Sequence, residues 1–166
     1  ILDVEFINQK PIGRSSRSNP VTYTKVYDDI RKLFAQSTLA KKRNYKPGFF
    51  SFNIDGGRCP NCKGDGEIKI EMQFMADVYI KCEDCNGKKF KDEVLDIKCF
   101  DKNIYEILNL SIEEAIILFK KNKENKIANK LQPLVDVGLN YLTLGQSSNT
   151  LSGGEAQRIK LASFLT

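Results

Sequence analysis

Hydrophobic positions follow two different periods along this chain. Val26, Ile30, Leu33 and Phe34 fall at i, i+4, i+7 and i+8 with Arg31 and Lys32 between them, which predicts an amphipathic helix of about three turns. Glu67 to Met72 and Asp77 to Lys81 instead alternate polar and apolar residues, the period of two expected of a β-hairpin or two short strands. Val94 to Phe100 reads as a further strand, and Ile1 to Ile7 as a strand entered partway. Ser111-Ile112-Glu113-Glu114 is a capping box that opens a helix through Phe119. Lys120 to Lys130 is polar and expected to be exposed. Ile127, Leu131, Leu134 and Val135 mark another helix ending at Gly138, with Pro133 either kinking it or starting a new one. Ala156, Ile159 and Ala162 lie on one face of a last helix, interleaved with Arg158 and Lys160. The sum is an α+β chain.

Composition narrows the class. With 166 residues, 41% of them hydrophobic and 28% charged, the chain can bury one substantial core or two small ones. Its apolar runs, such as Ala115 to Phe119, are too short to cross a bilayer, and no secretory signal opens it. A soluble, cytoplasmic protein with no membrane partner is expected. The absence of an initiator methionine before a strand entered partway suggests a segment of something longer. Net charge is +5, and residues 8–58 carry 11 Lys/Arg against 3 Asp/Glu. Such a surface suits a polyanion, since lysine and arginine release counterions from phosphates, although a solvated basic face has the same composition. Lys41-Lys42-Arg43-Asn44-Tyr45-Lys46 reads as a basic loop with one aromatic. There is no histidine, which removes the commonest general base, all Ser-His-Asp or Cys-His arrangements and any imidazole metal ligand.

The most specific chemistry is in the cysteines. Cys59, Cys62, Cys82 and Cys85 form C-x2-C-x19-C-x2-C, a spacing at which two thiolate knuckles close one tetrahedral zinc site. Turn-forming residues follow each pair, in Cys62-Lys63-Gly64-Asp65-Gly66 and Cys85-Asn86-Gly87, and glycine there lets amide groups turn toward the sulfurs. With all four positions filled, the expected zinc is structural, replacing a core too small to hold itself. A disulfide framework would leave Cys99 over and needs an oxidising compartment, and a thiol-exchange pair needs a helical, thioredoxin-like setting. Cys99 itself reads as a small core residue.

Leu151-Ser152-Gly153-Gly154-Glu155-Ala156-Gln157-Arg158 resembles the signature motif of ABC-type ATPases at every position of L-S-G-G-x-x-x-R. At such a helix start, backbone N–H groups and the positive end of the dipole face a phosphate, whereas an ordinary serine cap binds nothing. No G-x-x-x-x-G-K-[ST] loop occurs, so the chain alone lacks the lysine and magnesium ligands that hold ATP and is not expected to hydrolyse it.

Zinc-type cysteines followed by Leu-Ser-Gly-Gly-Glu-Ala-Gln-Arg-Ile-Lys-Leu-Ala resemble the C-terminal half of the UvrA family, ATP-driven damage-recognition subunits of bacterial nucleotide excision repair. Pro11 to Thr24 is similar to that family's P-I-G-R-[ST]-P-R-S-N-P-A-T-Y-T, with Ser16 in place of proline and Val21 in place of alanine. Phe50 to Asn53, Gly56 to Cys59, Leu134 to Leu139 and Tyr141 to Gln146 are familial as well. The resemblance implies an ABC-type signature domain with a helical subdomain and an inserted zinc module. It divides the chain into part of the ATPase core with a basic loop and helix (1–55), the zinc module (56–100) and a helical signature domain (101–166). It implies a homodimer that binds ATP and Mg2+ in composite sites, engages damaged double-stranded DNA and works with other excinuclease subunits. Ser152, Gly153 and Gly154 would then cap a nucleotide phosphate, Gln9 stands where the Q-loop glutamine is placed, and Arg14, Arg17, Arg58 and Lys63 are the candidates for DNA phosphate contact. The competing readings are a DnaJ-like zinc-ribbon interaction module, whose knuckles resemble Cys59 to Gly66, and a transporter ATPase subunit, which has no use for a zinc insertion.

Overall fold

The computed structural model describes residues 19–147 and 150–164. Among these, the chain forms helices α1 (Pro20–Tyr23), α2 (Val26–Ala35) and α3 (Thr38–Lys42), then an antiparallel pair of strands, β1 (Glu67–Ile70) and β2 (Val78–Lys81). Helices α4 (Asp92–Leu95), α5 (Ile104–Leu108), α6 (Ile112–Lys121), α7 (Asn125–Asp136) and α8 (Gly153–Ser163) follow. This is the expected mixture of helices with one small antiparallel sheet. None of these helices is long and apolar enough to cross a membrane. The chain divides into two compact units, Ile1–Tyr27 with Leu108–Thr166, and Asp28–Ile107. The expected opening strand, Gln9, Arg14 and Arg17 lie outside the described residues.

In the first unit α7 packs against α6 and α8, and α1 against α8. Ser111 caps α6 as the sequence predicts: its hydroxyl accepts from the Glu114 N–H and the Glu114 carboxylate accepts from the Ser111 N–H. Ile112, Ala115 and Phe119 give the buried stripe of α6, and Ile127, Leu131 and Leu134 that of α7. Pro133 sits inside α7 without ending it. The helix closes instead at Gly138, φ +82°, whose N–H reaches Val135 O while that of Leu139 reaches Leu134 O, the Schellman pattern that needs a left-handed residue just past the helix. Residues leading into α8 are anchored by Ile112 N–H to Leu142 O (2.8 Å) and Leu144 N–H to Leu110 O (2.9 Å). Lys120 to Lys130 is not uniformly exposed, because α7 starts at Asn125 and buries Ile127 and Ala128.

The second unit is built on aromatic packing. Phe34 of α2 meets Phe50 at 5.6 Å between ring centroids, and Phe50, Phe52 and Phe90 are fully buried. Two expectations change here. Lys41 and Lys42 belong to α3, capped by Ser37, so only the end of the basic run is a turn. Val94 to Phe100 is not a strand: Asp92 and Glu93 open the short helix α4, with Val94 and Ile97 buried three residues apart. Phe100 and Asp101 both adopt positive φ (55° and 67°), and Cys99 pairs with Lys102 across them, the conformation of a two-residue I′-type turn. Cys99 is half-buried, its thiol directed at Leu33 O at 3.7 Å.

Candidate metal centre and signature helix

The hairpin brings the two cysteine pairs together. Glu67 pairs with Lys81 and Ile70 with Val78, so Cys82 leaves β2 beside the turn that precedes β1, and its N–H bonds Gly66 O at 3.0 Å. A bridge between Arg58 and Phe90 closes the other end, through Cys59 N–H to Lys89 O (2.9 Å) and Lys91 N–H to Gly57 O (2.8 Å). All four sulfurs are buried and lie within 4.8 Å of one another.

The two knuckles repeat one backbone path. Lys63 and Asn86 have φ of 52° and 54°, Gly64 and Gly87 of 83° and 79°, and Gly66 and Lys89 of 77° and 76°. In each, the third of these residues returns its N–H to the second cysteine: Gly66 to Cys62 Sγ at 3.2 Å and Lys89 to Cys85 Sγ at 3.4 Å. Asn61 Nδ2 donates to Cys82 Sγ at 3.5 Å. Lys89 therefore occupies a left-handed position that the first knuckle gives to glycine. Its side chain runs past Gly66 with Nζ 5.9 Å from the Phe52 ring centre, and burial lowers the ammonium pKa against the pull of Asp65 and Glu67. Neither Asn61 nor Lys89 stands out in the sequence; the repeat of the knuckle in space identifies Lys89, and its bond to the Cys82 sulfur identifies Asn61.

The cluster fits a zinc ion. Thiolates about 2.3 Å from a tetrahedral zinc stand about 3.8 Å apart, and the sulfurs are 3.9 Å apart for Cys59 and Cys82 and 3.7 Å for Cys62 and Cys85. As free thiols the four are unevenly placed to ionise. Burial pushes Cys62 up to about 12 despite the Gly66 amide. Burial also opposes ionisation of Cys82, but amides of Cys85 and Asp84 and the Asn61 side chain outweigh it and bring that thiol down to about 7. A cation at the centre would favour the thiolate form of all four.

Of the candidate DNA contacts on this unit, Lys63 is exposed and Arg58 is engaged. Nε and Nη2 of Arg58 bond Asp55 Oδ1 at 3.1 and 2.8 Å, and Nη1 reaches Lys63 O at 3.3 Å. Its side chain is 11% exposed. The structure thus uses Arg58 to tie the entry turn to the first knuckle. Beyond it, the hairpin ends in Phe74 and Met75, 91% and 71% exposed, two apolar residues the period-two pattern does not account for.

On the first unit, Ser152 caps α8. Its hydroxyl accepts from the Glu155 N–H at 3.1 Å, and the Glu155 carboxylate accepts from the Ser152 N–H at 2.9 Å. The Tyr141 hydroxyl also donates to Glu155. That bond, with the Ser152 amide, lowers the Glu155 pKa and raises that of Tyr141. Ser152 and Gly153 are exposed, and a Cβ at Gly154 would meet nothing within 4 Å, so packing among the described residues does not require that glycine. Ala156, Ile159 and Ala162 are buried as the stripe predicts.

One unit carries a serine-capped helix at the L-S-G-G sequence and the other gathers four cysteines that could hold a zinc ion, the pairing of features that the ABC-type resemblance implies. The chain belongs to the UvrA family. It is 60% identical to UvrABC system protein A of Clostridium tetani over 160 residues, 96% of this chain and 17% of that protein. It is 58% identical to UvrABC system protein A of Listeria monocytogenes over 159 residues, 96% of this chain and 16% of that protein. The crystal structure of UvrA2 from Deinococcus radiodurans superposes with a TM-score of 0.91 at 49% identity, over 96% of this chain and 19% of that one. The chain thus spans about a sixth of the length of the curated relatives it matches. No family model matches it.

Proposed function

We propose that this chain is the signature and zinc-module segment of a damage-recognition ATPase of nucleotide excision repair. The observation that carries the reading is the joint presence, in a chain aligned nearly end to end with UvrABC system protein A, of a four-sulfur cluster and an open, serine-capped signature helix. Residues 56–100 form the zinc module and 101–166 the signature domain, with residues 1–55 supplying core and basic surface. The four cysteines hold one structural Zn2+, whose chemistry is to fix the thiolates and so the fold.

Ser152, Gly153 and Gly154 present N–H groups to the terminal phosphate of an ATP held with Mg2+ by another ATPase half in a homodimer, and Gln9 serves that site as the Q-loop residue. Binding a phosphate shared by two surfaces draws them together only as far as the closed state binds it better. Arg14, Arg17 and Lys63 contact phosphates of damaged double-stranded DNA, while Arg58 fixes the turn that carries Lys63. Other excinuclease subunits receive the DNA in the cytoplasm. The contribution of this segment is binding rather than bond cleavage. The DnaJ-like alternative rests on one knuckle and gains no support from the relatives.

Replacing Gly153 by aspartate in the full-length protein tests the phosphate role, since a carboxylate there repels the anion. ATP hydrolysis should collapse while zinc content and thermal stability persist. Unchanged hydrolysis would remove the signature helix from the nucleotide site.

A further inference from the structure

The two knuckles share a backbone path but do not protect their sulfurs equally. Cys62, Cys85 and Cys82 each accept an N–H, from Gly66, Lys89 and the Asn61 side chain. Among the described residues no N–H donor is placed on Cys59 Sγ, whose contacts are the sulfurs of Cys82, at 3.9 Å, and of Cys62. Cys59 also lines a surface cleft of about 240 Å³ with Pro60, Asp84, Cys85 and Lys91. Cys85 faces the same cleft but carries its amide bond from Lys89.

An N–H bond to a metal-held thiolate draws charge off the sulfur, so the sulfur without one is the strongest nucleophile of its set. Cys59 is 3% exposed, which favours a small reagent over a bulky one. We propose that Cys59 is the point at which a small peroxide oxidises this centre, joining it to Cys82 and opening the module; the inference rests on the zinc reading above.

The electrons balance in two steps. The Cys59 sulfur attacks one oxygen of hydrogen peroxide, the S–O bond forms, the O–O bond breaks, and hydroxide leaves to take a proton from solvent. The Cys82 sulfur then attacks the Cys59 sulfur, the S–S bond forms, the S–O bond breaks, and a second hydroxide leaves. Two thiolates have supplied two electrons to the peroxide. Cys62 and Cys85 are left as thiolates, two donors where a closed site needs four, and the Arg58–Phe90 bridge next to Cys59 loses its anchor.

The test uses the zinc-loaded full chain, its metal content measured first, in the natural form and as Cys99→Ser to remove the fifth thiol. Graded hydrogen peroxide is added, released zinc is followed with a chromogenic chelator, and disulfides are mapped by peptide mass spectrometry. A Cys59–Cys82 disulfide should be the first product, appearing in step with one zinc released per disulfide, and Cys99→Ser should leave this unchanged. A first product at Cys62–Cys85, zinc release ahead of any thiol oxidation, or dependence on Cys99 would overturn the assignment. A chain that holds no zinc before peroxide is added would remove the zinc reading and this inference with it.

Discussion

Six left-handed residues shape the metal centre, three in each knuckle, and they differ in what they tolerate. Gly64 combines φ +83° with a backbone so close that a Cβ would lie 2.5 Å from Phe52 O. Outside these six, Gly57 is tighter for steric reasons alone, since a Cβ there would lie 1.8 Å from Phe49 O. Lys63 and Asn86 accept similar dihedrals with side chains in the open. A left-handed L-residue costs roughly 1–2 kcal/mol before any clash. Gly64→Ala should therefore lower the thermal midpoint and zinc affinity of the chain by more than that strain alone, whereas Lys63→Ala should leave both close to natural. Equal effects of the two variants, followed by thermal denaturation and zinc titration, would show that the close approach at Phe52 does not matter. Lys89 could not have been found from the sequence, because nothing marks a lysine for a left-handed position; the comparison of the two knuckles in space does.

Elements form where local signals agree, and misread where they do not. The spacing of α2 and the Ser111 box appear in the structure because the buried stripes are those of an isolated amphipathic helix, whereas β1 and β2 pair as the alternation predicts without alternating burial, all of Val78 to Lys81 being exposed. The cysteine spacing was legible for a different reason: paired C-x2-C knuckles are the spacing that tetrahedral thiolate coordination requires. Val94 and Ile97 were ambiguous, since two apolar residues three apart fit either a strand or one helical face, and the acidic pair Asp92–Glu93 at a helix start decides for the helix. The Arg58–Asp55 pair was open to reading from its i, i+3 spacing, but the carbonyl of Lys63 that completes it was not.

The start of α8 carries a pH signature. Glu155 titrates below its ordinary value through the Tyr141 hydroxyl and the Ser152 amide, so its ionised form stabilises the folded state. That contribution is complete above the ordinary glutamate range and is lost as pH falls through the lowered folded value. Glu155→Gln should destabilise the chain at neutral pH, and the difference in thermal midpoint from the natural protein should close on acidification. A gap that stays constant with pH would place the cap's strength in geometry rather than in charge.

At the scale of the molecule, one unit presents the exposed, serine-capped start of α8 and the other a four-cysteine module on which Lys63 is exposed. The basic balance of residues 8–58 is the composition a polyanion-binding segment needs, and counterion release would make any such grip steeply salt-dependent. If the metal holds the second unit, stripping it should melt the hairpin and scatter Lys63 while α6, α7 and α8, packed on one another, persist. The most direct measurement is fluorescence anisotropy of intact and lesion-bearing duplexes with the zinc-loaded chain, the metal-stripped chain and the Arg14→Ala/Arg17→Ala variant across a salt series. The account predicts binding that weakens steeply with salt, a shallower salt slope in the double variant, and loss of affinity on removal of zinc. A folded, zinc-loaded chain that binds neither duplex at low salt would contradict it, and would make the basic third a docking or solvated surface instead.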